Sequence, residues 1–174
     1  GEYIPFISSL RGLIAFFDMP MSNVSHGSTK QNAMKLNSFD DIKFAPLICY
    51  AIAFGNTVRK SNISSNFMIN ISNDTWFGSS IGPYHHLDIA RVRAIENNKW
   101  IVRSTNDGFS AIIDNNGTIV TKIEKGDSSI LNGSISLLKE RSFYNIYGYL
   151  IPYLFALIVI LFSVIINLCT KSRA

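Results

Sequence analysis

Apolar and polar segments alternate along most of this chain, and the short apolar segments are rich in residues that favour β-strands. Runs of this kind, bounded by turn-forming or polar residues, are typical of strands. The pattern predicts strands over residues 43–50, 66–72, 100–104 and 133–137.

One segment has helical spacing instead. Over residues 83–98, Leu87, Ala90, Ala94 and Ile95 fall on one face, which predicts a helix. Further on, the sequence Asp-Asn-Asn-Gly at 114–117 separates two β-forming runs, at 109–113 and 118–123, and predicts a hairpin. Strands that alternate with a helix indicate a layered α/β sandwich, which we assign to residues 1–148. Residues 7–41 are less regular.

The end of the chain has a different pattern. Residues 149–168 are almost wholly apolar and carry no charge. About 20 residues at helical rise span about 30 Å, the thickness of a bilayer core, so this segment predicts one transmembrane helix. The alternative is a buried core helix. Lys171 and Arg173 follow the segment, and the positive-inside rule then places residues 169–174 in the cytoplasm and residues 1–148 on the outer face of the membrane.

Composition narrows the functional classes. The chain has 174 residues, of which 47% are hydrophobic, and its net charge of +4 comes from 16 basic and 12 acidic residues. This mild excess contains no dense basic run, so the sequence does not indicate nucleic-acid binding, although it favours an anionic membrane surface weakly. Two cysteines provide no disulfide framework.

Cys49 is the candidate reactive residue. It ends an apolar, strand-like run, which is a position from which many folds present a sulfur nucleophile. The alternative is that Cys49 is a small buried hydrophobe, as many cysteines are. Cys169 lies in the apolar tail, and we expect it to be inert.

Four segments in order carry a family resemblance. They are residues 1–6 (GEYIPF), 48–50 (ICY), 72–97 (SNDTWFG continuing through GP into HLDIARVRAIEN) and 103–108 (RSTNDG). Their order and spacing resemble the nitrilase-like carbon–nitrogen hydrolase superfamily. Within it, the forms GEYIP, SNDTWFG and RSTNDG, followed by a C-terminal membrane helix, resemble the apolipoprotein N-acyltransferases of bacterial envelopes.

The resemblance implies a fold and a catalytic group. The fold is a nitrilase-like αββα sandwich, here its C-terminal portion, followed by the transmembrane helix. Cys49 is then the nucleophile, and the backbone N–H of Tyr50 helps to bind the oxyanion. The family's general-base glutamate and its lysine lie upstream of the GEYIP segment, so we expect this chain alone to be catalytically incomplete. Glu2 matches a glutamate that supports the active site; its alternative is a solvated loop acid.

The residues that follow the predicted strand 66–72 are candidates for substrate binding. Asn73, Trp76 and Phe77 follow a strand end, where α/β sites gather their loops. Trp76 either lines an acyl pocket or packs in the ordinary way. His85 and His86 have no third ligand at useful spacing, so we predict no metal and no cofactor.

Three arginines have two interpretations. Arg91, Arg93 and Arg103 either bind a lipid phosphate or form buried ion pairs with Asp88 or Glu96, and the ion pairs are the preferred interpretation.

The implied reaction is acyl transfer in two steps. An acyl chain passes from a membrane phospholipid to Cys49 as a thioester, and then to the α-amino group of the diacylglyceryl-cysteine that begins an apolipoprotein. The implied location is the bacterial inner membrane, with the catalytic domain facing the periplasm. Two alternatives stay open: a nitrilase-type amidase acting on a small amide, and a non-catalytic membrane-bound remnant. The remnant is favoured by Ala51, where the family commonly has glutamate.

Overall fold

One six-stranded sheet organises the described part of the chain. The computed structural model describes residues 32–37 and 39–171. The sheet has the order β1-β2-β3-β4-β5-β6, the same as the order along the chain. Its strands are β1 (Met34–Leu36), β2 (Phe39–Ile48), β3 (Phe67–Asn73), β4 (Ile101–Asn106), β5 (Ser110–Ile113) and β6 (Ile119–Ile123).

The three central strands are parallel, and the outer strands are antiparallel to their neighbours. Strand β3 pairs in parallel with both β2 and β4, whereas β1, β5 and β6 add as antiparallel strands. Parallel strands need crossover connections, and two helices provide them here. These are α1 (Gly55–Ser61), between β2 and β3, and α2 (Gly82–Asn97), between β3 and β4.

The core lies between one face of the sheet and the two helices. Alternate residues of the central strands point into it, among them Ala45, Leu47, Met68 and Ile101. From the helices it receives a further set of apolar side chains, which are Val58, Leu87, Ala90 and Ala94. This period of two on the strands and the helical spacing on α2 follow the pattern seen in the sequence.

Most of the predicted elements are confirmed. The predicted hairpin forms between β5 and β6, where Gly117 has a φ of 78° and the Asp114 carboxylate accepts hydrogen bonds from the N–H groups of Asn116 and Thr118. A left-handed residue in this turn explains the glycine. Helix α2 is capped at its C-terminus by Asn98, which is also left-handed, with a φ of 52°.

The predicted strand over residues 133–137 is wrong. These residues have no regular secondary structure and do not pair with the edge of the sheet. A Cβ atom on Gly133 would contact the side chain of Ile112, and the N–H of Leu138 donates to the carbonyl of Asn66. The buried Lys99 ammonium donates to the carbonyls of Leu138 and Glu140. The segment therefore crosses the sheet, held by these contacts, rather than extending it.

A short helix, α3 (Phe143–Tyr147), attaches the end of the domain to α1 and α2. Its buried Asn145 donates to the carbonyl of Arg59, at 3.1 Å, and to the side-chain oxygen of Asn97, at 2.7 Å. Ser142 caps the helix by accepting from the N–H of Asn145 at 2.9 Å. Asn145 thus connects three helices through one side chain.

The last helix is long and apolar. Helix α4 (Leu150–Lys171) follows α3 after two residues. Within it, residues 150–167 have a mean hydropathy of 2.6 and none of them is buried. Within the described residues α4 is therefore not part of a buried core, and by length and composition it can cross a membrane.

Candidate active site

Cys49 occupies a strained backbone position at the end of β2. It has a φ of 50°, in the left-handed region that residues other than glycine seldom adopt. Just after β2, the chain turns into a 3₁₀ helix over Cys49–Ala53. Strain of this kind costs on the order of 1–3 kcal/mol and persists only where surrounding contacts enforce it. The cysteine therefore sits on a sharp turn at the carboxyl end of a parallel strand, where α/β folds gather their sites.

The contacts that enforce this turn come from Asn70 on β3. The Asn70 amide nitrogen donates to the carbonyl of Leu47, at 3.0 Å, and to that of Cys49, at 3.4 Å. On the amide's other side, its oxygen accepts from the guanidinium of Arg103. Because both residues are buried, the amide cannot turn without losing these bonds.

Arg93 holds the same turn from the helix side. Its guanidinium donates to the carbonyls of Ile52, at 3.0 Å, and of Ala53, at 3.3 Å, and also pairs with Glu96. The preferred interpretation of Arg93 as an ion-pairing residue is confirmed. Arg91 likewise pairs with Asp88, at 2.9 Å, but this pair is exposed rather than buried.

Arg103 has a different partner from those predicted. Its guanidinium, completely buried, donates to the Asp74 carboxylate at 2.9 Å rather than to Asp88 or Glu96. The reason is that Arg103 points to the core-facing side of β4, whereas Asp88 lies on the exposed side of α2. Burial lowers the pKa of Arg103, and the charge of Asp74 opposes that shift.

Asp74 is the centre of a buried polar cluster. It accepts hydrogen bonds from Ser72 at 2.7 Å, His86 at 2.8 Å and Arg103 at 2.9 Å. Burial alone would raise the pKa of Asp74, but the hydrogen bonds from His86 and Ser72 and the charge of Arg103 outweigh it, so the pKa lies below its ordinary value. Asp74 is therefore an ionised carboxylate that accepts hydrogen bonds from three protein groups, directly behind the turn at Cys49.

His86 links this cluster to the surface of the site. Its Nδ1 faces the ionised carboxylate of Asp74, so this nitrogen carries the proton. Its Nε2 is buried and has no hydrogen-bond partner in the described structure. The ring lies between those of Tyr50 and Phe77, with centroids 5.8 Å from each. His86 therefore acts as a hydrogen-bond donor to Asp74. Within the described ranges, no group of three or more acidic, histidine or cysteine residues is placed to hold a metal ion.

The predicted site residues on these loops come together around one cavity. It has a volume of about 340 Å³, and it is lined by Cys49, Tyr50, Asn73, Trp76, Phe77 and His86. Trp76 is 60% exposed, so it forms a wall of the cavity rather than part of the core. Asn73 uses its side-chain oxygen to hold the following turn, through Thr75. The structure brings the predicted nucleophile and the predicted substrate-binding residues into one site.

The sequence also singles out Glu2 and Ala51, of which Ala51 does not line this cavity. Glu2 lies outside the described residues, as does the whole GEYIP segment. Ala51 lies in the 3₁₀ turn, where its carbonyl accepts from the N–H of Phe54 at 3.2 Å.

Ser72, Asn70 and Asp74 were not predicted as site residues. A signal was present, because residues 68, 70 and 72 alternate on one strand, which places two polar side chains on the buried face of an otherwise apolar sheet. A polar residue at a core-facing position needs a partner, and here the partners form the cluster behind Cys49.

Comparisons with known proteins identify the family of this chain. The family model of the carbon-nitrogen hydrolases matches residues 15–143. Among curated proteins, the apolipoprotein N-acyltransferase of Pseudomonas paraeruginosa is 42% identical over 135 residues, covering 78% of this chain and 26% of that protein. The protein of the same name from Photobacterium profundum is 37% identical over 149 residues, covering 85% of this chain and 28% of that protein.

The chain thus spans about a quarter of the length of the curated relatives it matches. Among solved structures, an amidase of the nitrilase superfamily from Nesterenkonia aligns with a TM-score of 0.48 at 15% identity, covering 62% of this chain and 43% of the amidase.

Proposed function

The chain belongs to the carbon–nitrogen hydrolase family, and from that premise we propose that Cys49 is the nucleophile of an acyl transfer from a membrane phospholipid to an apolipoprotein. The family match confirms the nitrilase-like fold class and the resemblance read from the motifs. The described residues supply one sheet and the helices on one of its faces, which is a portion of the predicted sandwich.

One observation carries the proposal. Cys49 is held in a left-handed turn at the mouth of a cavity whose other walls include the rings of Tyr50, Trp76 and Phe77. An apolar, aromatic wall suits an acyl chain and keeps water from a thioester. The relatives named apolipoprotein N-acyltransferase, at 37–42% identity, support this choice of substrate over a small amide.

The first half-reaction forms the thioester. The Cys49 thiolate attacks the ester carbonyl of the phospholipid, and the resulting oxyanion accepts a hydrogen bond from the backbone N–H of Tyr50. The bond from the carbonyl carbon to the glycerol oxygen then breaks. The lysophospholipid leaves as an alcohol after it takes up the proton that the thiol lost. By resemblance, a glutamate acts as the base and a lysine assists the oxyanion; neither belongs to the described residues, and Glu2 supports them.

The second half-reaction consumes the thioester. The α-amino group of the diacylglyceryl-cysteine attacks the thioester carbonyl, an amide bond forms, and the Cys49 sulfur leaves and is reprotonated by the proton that the amine gives up. This is ping-pong covalent catalysis. It needs no metal or nucleotide, because the thioester holds the activated acyl group.

The membrane helix fits lipid substrates. We assign residues 1–148 to the catalytic domain, 149–168 to a transmembrane helix and 169–174 to a cytoplasmic tail, with the catalytic domain on the periplasmic face of the inner membrane. Support comes from the apolar α4, from Lys171 at its end and from Arg173 beyond it. Both proposed substrates are embedded in the same bilayer.

The test uses the complete protein that carries this chain, in vesicles that contain a phospholipid with a radiolabelled acyl chain. We expect a labelled adduct that hydroxylamine removes, and no such adduct after Cys49→Ser. Cys169→Ser is the matched control and should keep the adduct. Equal, hydroxylamine-resistant labelling of all three proteins would contradict the proposal. Hydrolysis of small amides without an acyl adduct would favour the amidase, and inactivity towards both substrates would favour the remnant.

A further inference from the structure

Ser72 stands between the nucleophile and the buried carboxylate. Its Oγ lies 2.7 Å from Oδ1 of Asp74 and 3.6 Å from Sγ of Cys49. Ser72 is 7% exposed and Asp74 is completely buried, so bulk water does not compete for the contact between them, whereas Cys49 is half-buried beside the cavity. The Ser72 hydroxyl therefore lies within reach of both groups.

A hydroxyl has one proton and can donate it to one acceptor at a time. While Cys49 is a thiol, the ionised Asp74 is the stronger acceptor, and the hydrogen bond to a charged group is the shorter and stronger one. Ser72 then turns its lone pairs toward Cys49 and can accept the S–H. In this state Ser72 orients the thiol but cannot donate to the sulfur.

Asp74 does not depend on Ser72 alone. His86, at 2.8 Å, and Arg103, at 2.9 Å, also donate to the carboxylate, one to each oxygen. If the Ser72 hydroxyl rotates away, the carboxylate keeps two donors and is not left as an unsatisfied buried charge. A thiolate at Cys49 would then be a second charged acceptor within reach of the same hydroxyl.

We propose that Ser72 is a positioning residue whose hydroxyl accepts a hydrogen bond from the Cys49 thiol and rotates from Asp74 to donate to the Cys49 thiolate. The O–H bond of Ser72 does not break in this step. The thiol proton passes to the base, and Ser72 changes only the acceptor of its own proton. The inference rests on the proposed function for the role of Cys49, and it gives Ser72 a part whenever the thiolate forms or leaves.

The test measures the reactivity of Cys49 without any acyl transfer. The complete protein in detergent is treated with iodoacetamide at one fixed pH, and mass spectrometry follows the alkylation of the peptide that contains Cys49. We expect Ser72→Ala to slow alkylation roughly tenfold, the factor that one hydrogen bond to a charged group supplies. Ser65→Ala is the matched control, because Ser65 is also a buried serine, with Oγ 2.6 Å from Asn62 Oδ1, and it does not contact Cys49.

A second pair of variants covers the case in which Ser72→Ala does not fold. Ser72→Thr and Ser72→Val place side chains of the same shape on β3 and differ only in the hydroxyl. We expect Ser72→Thr to react within about twofold of the wild type, because it keeps the donor, and Ser72→Val to be slow. Thermal unfolding of all variants separates this effect from a general loss of structure.

Equal alkylation rates for Ser72→Thr and Ser72→Val would overturn the inference. So would a slowing of alkylation by Ser65→Ala as large as that by Ser72→Ala. The outcome is independent of the acyl-transfer test. If alkylation depends on the Ser72 hydroxyl while no acyl adduct forms in vesicles, the proposed function fails and the role of Ser72 stands. If the adduct forms on Cys49 and the alkylation rate does not depend on the Ser72 hydroxyl, the proposed function stands and the role of Ser72 fails.

Discussion

Gly108 packs directly against Asp74: a Cβ atom on Gly108 would lie 2.5 Å from Oδ2 and 2.8 Å from Cβ of Asp74. Both residues are buried, and Asp74 is fixed by three side-chain hydrogen bonds. The loop after β4 therefore needs a residue without a side chain at this point, which explains the glycine in the RSTNDG segment.

Gly108→Ala should destabilise the protein by about 1–3 kcal/mol, the usual cost of overpacking a site that cannot yield. The measurement is the free energy of unfolding in denaturant. Gly133→Ala is the matched control, because its added methyl group would meet mainly the flexible end of the Ile112 side chain. A loss of unfolding free energy in Gly133→Ala as large as that in Gly108→Ala would contradict the proposed rigidity of Asp74.

Asp74→Asn should cost about 3–5 kcal/mol, because it leaves the buried guanidinium of Arg103 without its charged partner. Asp88→Asn removes one carboxylate from the exposed pair with Arg91 and should cost at most about 1 kcal/mol. Thermal and denaturant unfolding of both variants provide the comparison. Similar losses would mean that burial does not govern the strength of these pairs.

The pKa of Asp74 predicts how stability responds to acid. Because this pKa is lower in the folded protein than its ordinary value of 3.8, folding favours the ionised form. Its contribution is present above the ordinary value and is lost as the pH falls through that value toward the folded one. The difference in unfolding free energy between the wild type and Asp74→Asn should therefore shrink on acidification below about pH 4. A difference that stays constant from pH 7 to pH 3 would refute this prediction.

Trp76→Ala should reduce acyl-adduct formation while leaving the fold intact. Trp76 forms a wall of the cavity beside Cys49 and is 60% exposed, so it contributes little to the core. Loss of its apolar contact with an acyl chain, worth about 1–2 kcal/mol, should slow adduct formation by roughly 5- to 30-fold. The control is Ile130→Ala, at a position 84% exposed and outside the cavity. Adduct formation at the wild-type rate would remove Trp76 from the substrate site.

Much of the fold follows from local patterns. Strands β3 and β4, helix α2 and the hairpin begin and end within about two residues of their predicted bounds, because alternation, helical spacing and the turn at Gly117 are properties of neighbouring residues. Strand β2 begins at Phe39, four residues before its predicted start, and ends at Ile48, two residues before its predicted end. The strand predicted over residues 133–137 failed for the opposite reason. Its apolar pattern is real, but Asn66 and Lys99, far away in the sequence, determine its path.

The candidate site likewise contains residues that the sequence predicted and contacts that it did not. Motifs located Cys49, Tyr50, Asn73, Trp76 and Phe77, and the structure gathers them at one cavity. The ion pair between Arg103 and Asp74 was missed, because it joins a residue of β4 to one 29 positions earlier, just after the end of the neighbouring strand β3. The direction of each side chain from its strand, which decides that pairing, depends on register across the sheet.

The connection between α3 and α4 has a consequence for how substrates arrive. Only Gly148 and Tyr149 separate the two helices, and Asn145 fastens α3 to α1 and α2. Two residues reach at most about 7 Å, so if α4 spans the bilayer as proposed, the domain has almost no vertical range above it. With the phospholipid donor proposed above, Cys49 would meet its lipid by diffusion in two dimensions, and we expect turnover to depend on the surface density of the acyl donor in the membrane rather than on its bulk concentration.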